Sequence, residues 1–147
     1  MVETKTNLKI EKAKFVANKT TLITEEYIFG TNLGSGSFGT VRRAIRKKTN
    51  QARAVKIIKK EDQDAEMLAL EVDILSKLSH PNIMQIYEFY QDSKNFYIVS
   101  ELCSGGELFD MISERGSLNE KDTATIIRQV LSALSYSHQN NIVHRYL

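Results

Sequence analysis

Apolar and polar positions change rhythm several times along this chain. Residues 1–26 follow no strong period and read as a polar extension, with Phe15 and Val16 as packing residues. From Tyr27 onward, short apolar runs alternate with turn-forming residues. They predict strands over 27–33, 40–46 and 53–59, with the polar KKTNQ at 47–51 as a turn. Acidic residues at 61–64 then open a helical segment that runs to about Leu78 and stops before Pro81, which disfavours helix in the residue ahead of it. Two more apolar strands follow, 83–90 and 96–102, joined by QDSKN. A short helix over 107–115 is closed by Gly116. A long helix starts at an Asn119 cap, with Asp122 three residues on, and runs to about Gln139. Its apolar residues Ile126, Ile127, Val130, Leu131 and Leu134 spread over more than one narrow stripe, so it needs cover on much of its circumference.

Composition narrows the classes without choosing one. The 147 residues are 41% hydrophobic and 26% charged, enough for a domain with a core. Twenty basic and 18 acidic residues are intermixed, for a net charge of +2, so neither nucleic acid nor an anionic membrane is an expected partner. No apolar run is long enough to span a bilayer. A single cysteine, Cys103, points to a reducing compartment, and a cytoplasmic or nuclear location is expected. The His and Cys residues show no metal-ligand spacing, and no D-x-D-x-D-G calcium loop occurs.

Candidate chemistry begins at Gly34-Ser35-Gly36-Ser37-Phe38-Gly39, a G-x-G-x-x-G run. Glycines let a backbone approach phosphate oxygens and turn N–H groups toward them. The same pattern also fits an ordinary glycine-rich turn, or a dinucleotide fingerprint if a helix follows directly. Thr40-Val41 has strand texture, which favours strand–loop–strand. Lys56 lies one predicted hairpin further on, among Val55, Ile57 and Ile58. Glu71 shares a helix face with Leu68, Leu75 and Leu78. A carboxylate in an apolar stripe needs a partner, and Lys56 is the expected one; the alternative is a surface glutamate at the stripe's edge.

With LGSGSFGTV, AVKIIKK, LEVDILSKLSHPNI, YIVSELCSGGELFD and IVHR in this order, residues 27–147 resemble the N-terminal half of a eukaryotic Ser/Thr protein kinase. The similarity is strongest to the calcium/calmodulin-regulated group, the calcium-dependent kinases in particular. The resemblance implies an α+β fold. A kinase N-lobe at 27–102, with a five-stranded antiparallel sheet and one regulatory helix, would precede a hinge and the first two helices of an incomplete C-lobe at 103–147. It implies ATP as nucleotide, with Gly34, Gly36 and Gly39 over the phosphates, Val41 and Ala54 about the adenine, and Leu33 among the residues that bind the nucleotide. Lys56 would hold the α- and β-phosphates and pair with Glu71. Ser100 falls at the gatekeeper position, Glu101 and Cys103 at the hinge, and Glu107 where ribose or a basic substrate residue is met. Leu75, Ile86 and His144 match members of the stack that couples the lobes.

The resemblance departs at the end of the chain. Tyr146 stands where the family's His-Arg-Asp-Leu motif has its acid, and a phenol is neutral at pH 7. The Asn and Asp that bind Mg2+ in the complete enzyme lie beyond the matched motifs. The chain is therefore expected to be a kinase portion inactive in phosphoryl transfer to protein substrates. The alternative is a non-catalytic module that binds ATP or a partner. Self-association through the apolar helix 119–139 is a further expectation.

Overall fold

A computed structural model describes residues 17–19, 21–36, 39–62 and 64–144. Strand β1 (Ala17–Lys19) and a single turn α1 (Ile23–Glu26) lead into β2 (Tyr27–Gly36), β3 (Gly39–Arg46) and β4 (Ala52–Lys59). A 3-10 turn at Lys60–Asp62 precedes helix α2 (Ala65–Ser76). Strands β5 (Ile86–Gln91) and β6 (Asn95–Ser100) are followed by α3 (Leu108–Arg115) and α4 (Glu120–Gln139). The expected five antiparallel strands and two following helices are present, with β6 and not β5 beside β4.

The sheet order is β1-β5-β6-β4-β3-β2. The segment expected to be a polar extension adds two things, while its expected packing residues Phe15 and Val16 lie outside the described residues. Its β1 pairs in parallel with β5 through Ala17↔Glu88, Asn18↔Phe89 and Lys19↔Tyr90, and Ile23 is buried. The polar majority of residues 1–26 conceals these short features, because three residues are too few to show a period.

The sheet is curled. Tyr27 opens the edge strand β2, yet its hydroxyl donates to Glu88 Oε2 on β5 at 2.5 Å, and its ring meets Tyr90 edge-on at 6.1 Å. Strand twist accumulated over five strands brings edge strand β2 back to β5. Ile23, Tyr27, Ala44, Val55, Tyr90 and Val99 fill the inside of the curl. The opposite face is covered by α2, whose Leu68 and Val72 pack with Ile58, Phe89 and Phe96.

Local chemistry fixes the ends of the elements. Asn50 takes a positive φ of 56° in the β3–β4 turn, a conformation Asn tolerates, and Arg46 N–H closes it on the Gln51 carbonyl at 2.9 Å. Asp64 accepts from Met67 N–H at 3.2 Å at the start of α2. Asn119 Oδ1 accepts from Asp122 N–H at 2.8 Å, the expected cap of α4. Gly116 closes α3 at φ 75°.

Candidate functional site

The glycine run forms the tip of the β2–β3 hairpin, and β3 continues directly from Gly39. No helix follows, so the dinucleotide fingerprint is excluded by its own requirement. Gly39 has φ +109°, and a Cβ there would lie 2.2 Å from the Ile57 carbonyl oxygen, so only glycine lets β3 pass β4. A Cβ on Gly34 or Gly36 would meet nothing within 4 Å. These two positions therefore face open space, as a cradle for a phosphate requires. The approach to the tip is bulged, with register shifts between Phe29 and Asn32 and between Asn32 and Gly34. Asn32 organises that bulge: Oδ1 accepts from Gly34 N–H at 3.1 Å, and Nδ2 donates to Ser35 Oγ at 3.0 Å. Asn32 is a supporting residue that the motif alone did not single out. Its signal is an Asn two residues before the first glycine, in reach of that glycine's N–H.

Pairing register shows which residues share a face, because cross-strand partners point to the same side and neighbours along a strand to opposite sides. Val41 pairs with Lys56, and Lys56 with Ile98. Ala54 pairs with Ser100, and Ser100 with Ile86. Val41, Ala54, Lys56, Ile98 and Ser100 thus lie on one side of the sheet, the side that carries α2. Ala54 and Ser100 are buried, Lys56 and Val41 half-buried. The Ser100 hydroxyl donates to the Glu101 carbonyl at 3.3 Å, and Glu101 N–H donates to the Gln85 carbonyl at 2.9 Å. Cys103 is an exposed free thiol. Leu33 is exposed on β2, and Glu107 is exposed at the N-cap of α3.

One expected contact is corrected. Glu71 is exposed, and among the described residues it makes no ion pair, with Lys56 or otherwise. The face of α2 turned to the sheet runs through Leu68 and Val72, at i and i+4, whereas in the expected stripe Glu71 is exposed, Leu75 half-buried and Leu78, just past the helix, buried. Both stripes are compatible with a helical period. Val72 buries apolar area where Glu71 would bury a charge, so Val72 faces inward. Of the lobe-coupling stack, Ile86 is buried, Leu75 half-buried and His144 exposed. Tyr146 lies outside the described residues.

The buried polar group that the sequence reading missed is Glu88. It is 5% exposed, and accepts from the Tyr27 hydroxyl, from Arg46 Nη2 at 2.9 Å and from the Tyr90 hydroxyl at 3.2 Å. Arg46 also reaches Glu26 Oε2 at 3.6 Å. Burial, reinforced by the neighbouring Glu88 charge, pushes both the Tyr27 and Tyr90 phenols well above the usual range. The cluster ties β2, β3 and β5 together at the back of the sheet and does not belong to the nucleotide face. A separate cavity of about 400 Å³ is lined by Lys59, Lys60, Glu61, Ser93, Lys94 and Asn95. It lies beyond the β4 end and the β5–β6 turn, away from the glycines. Among the described residues, no group of three His, Cys, Asp or Glu side chains is placed to hold a metal ion.

Residues 27–147 match the family described as "Protein kinase domain". The chain is 51% identical over 116 residues to calcium-dependent protein kinase 5 of Plasmodium berghei (strain Anka), covering 78% of this chain and 21% of that protein. It is 43% identical over 145 residues to calcium-dependent protein kinase 4 of the same organism, covering 96% of this chain and 28% of the relative. To calcium/calmodulin-dependent protein kinase type 1 of Macrobrachium nipponense it is 42% identical over 128 residues, covering 85% and 37%. The chain thus spans between about a fifth and two-fifths of these relatives' lengths.

Proposed function

Since this chain belongs to the protein kinase domain family, we propose that it is the ATP-binding portion of a Ser/Thr protein kinase of the calcium-dependent group. The observation that supports this reading most is the shared sheet face. Val41, Ala54 and Ser100 make an apolar-to-small slot, with Lys56 two residues along β4 from Ala54 and the open Gly34 paired with Val41 beside it. A planar base fits between small and branched side chains. An ammonium group on the same face suits the phosphates, and a glycine tip lets backbone approach them. Glu101 and Cys103, on the exposed stretch after β6, would offer hinge backbone groups to the base. Leu33 would cover the slot, and Glu107 would meet ribose or a basic substrate residue.

Transfer of the γ-phosphoryl group to protein hydroxyls is the activity of the complete enzyme in this reading, with Mg2+ supplied by ligands outside the described residues. Within the sequence in hand, position 146 offers a phenol where an acid would orient the hydroxyl. We propose that this chain binds ATP without transferring phosphate, in a cytoplasmic setting. Tyr146 equally favours a second reading, a non-catalytic module whose ATP site serves a partner.

Calorimetric titration of ATP into the full chain, beside a phosphate-transfer assay on Ser/Thr peptides, tests the proposal. Saturable one-to-one binding, weakened by Lys56→Met, with no transfer above blank is expected. Absence of saturable binding sinks the ATP reading. Transfer above blank sinks the inactivity.

A further inference from the structure

We infer that Asn32 and Arg42 are positioning residues for the nucleotide phosphates: they hold the two irregular steps of β2 and so fix the glycine tip relative to the Val41–Lys56 face. The inference rests on the ATP reading for its purpose, and on the β2–β3 hairpin for its substance.

Regular pairing of β2 with β3 fails at two places. The first lies between Phe29↔Ala44 and Asn32↔Arg42, the second between Asn32↔Arg42 and Gly34↔Val41. Each shift leaves one residue more on β2 than on β3. An extra residue interrupts the hydrogen-bond ladder and bends the strand that carries it. Two such bends directly before the tip decide where Gly34, Ser35 and Gly36 stand, at the point where the ladder itself is weakest.

Each interruption is bridged by a side chain. At the first, Arg42 Nη2 donates to the Gly30 carbonyl at 2.7 Å, and the guanidinium carbon lies 5.5 Å from the centre of the Phe29 ring. Phe29 packs on the inner core cluster, with the Tyr97 ring at 6.4 Å, so Arg42 grips β2 from the core side. At the second, Asn32 Oδ1 accepts from Gly34 N–H at 3.1 Å, and Nδ2 donates to Ser35 Oγ at 3.0 Å. A side chain that bonds the backbone two residues on stands in for a backbone turn, and here it fixes the entry to the tip.

Neither residue lies on the nucleotide face. Successive residues of a strand point to opposite sides, so Arg42 faces away from the side of Val41, and Asn32 is its cross-strand partner. Both act through the tip. Gly34 N–H is committed to Asn32, and the contribution of Asn32 to ATP binding is to hold the rest of the tip in one geometry. A tip ordered before the nucleotide arrives loses less conformational freedom on binding. In the ATP reading the tip meets phosphates and the slot meets adenine, so loosening the tip weakens ATP and spares adenosine.

The test titrates the full 147-residue chain with ATP and with adenosine, and measures amide order parameters of the nucleotide-free, 15N-labelled chain. Asn32→Ala removes the acceptor of Gly34 N–H without changing charge. It should weaken ATP about fivefold, the worth of one hydrogen bond, and leave adenosine within about twofold. Asn32→Ser keeps an acceptor for the N–H two residues on and should recover most of the ATP affinity. Arg42→Met keeps the stem beside Phe29 and loses the donor; because it also removes a charge, it is read by order parameters alone. Those of Ser35 and Gly36 should fall in Asn32→Ala and in Arg42→Met, with β4–β6 unchanged. Undiminished ATP affinity in Asn32→Ala, equal losses for ATP and adenosine, or unchanged order parameters at the tip would overturn the inference. If the unmodified chain binds neither ligand, the proposed function falls, and the order parameters alone decide whether Asn32 and Arg42 hold the tip.

Discussion

At Gly39 a backbone carbonyl occupies the space a side chain would need. Gly39→Ala would place a methyl 2.2 Å from the Ile57 oxygen at a φ of +109°, and it is expected to destabilise the fold by about 1–3 kcal/mol, read by thermal or urea unfolding. Gly34→Ala meets open space, so it should leave stability within about 0.5 kcal/mol and lower ATP affinity instead. The contrast separates a glycine kept for packing from one kept for ligand approach. Ser100 makes a different kind of claim. Its small buried side chain stands between Ala54 and Ile86 in the sheet register, so Ser100→Met should exclude bulky pyrazolopyrimidine-type inhibitors that the unmodified chain binds in a competition assay. Equal affinity in both would refute an enlarged slot. Asp92 accepts from the Tyr97 hydroxyl at 2.6 Å and from Lys94 and Asn95 N–H at 2.7 Å, and these bonds hold its carboxyl below the usual range. A lowered folded value contributes stability above the unfolded value near 3.8, and that contribution is lost as pH falls through the folded one. Asp92→Asn should therefore cost stability at pH 7 and almost none at pH 2 in paired denaturation curves.

Helix α2 shows what an element can and cannot disclose through its sequence. Its existence and approximate ends were legible from the acidic start and from Pro81. Its inward face was not, because two apolar stripes one residue apart both satisfy a 3.6-residue period. Packing against Phe89 and Phe96 decides between them, and those partners are distant in sequence. Leu68→Ala should cost about 2–5 kcal/mol in unfolding experiments, while Met67→Ala, 67% exposed on the outer side, should cost less than about 0.5 kcal/mol. The strands and glycine tip were readable because alternation, turn residues and motif spacing are local. Strand β1 and the plug at Ile23 were not, since a three-residue strand has no period and its pairing with β5 is a property of the curled sheet. Glu88 was concealed for the same reason. In sequence it is one acid among apolar neighbours. In three dimensions it accepts from Tyr27, Tyr90 and Arg46, contributed by three strands.

Across the whole molecule, the Glu88 cluster closes the sheet's curl, leaving the glycine tip and the Val41–Lys56–Ser100 face clear of it. Glu88→Leu should destabilise less than Glu88→Ala, because an apolar group of similar volume fills the site whereas truncation leaves a cavity, and both remove the acceptor of Tyr27, Tyr90 and Arg46. The raised phenols of Tyr27 and Tyr90 contribute stability below their unfolded value of 10.0 that is lost as pH rises beyond it, so alkaline unfolding should begin above about pH 10. Ile127 and Leu131 leave apolar surface exposed on α4. The central claim is that this sheet face binds ATP. An ATP titration of the 15N-labelled chain tests it most directly. The account predicts saturable amide shifts gathered at Gly34, Gly36, Gly39, Val41, Ala54, Lys56, Ser100, Glu101 and Cys103. Shifts that fail to saturate, or that gather instead around Lys59, Lys60 and Lys94, would contradict it.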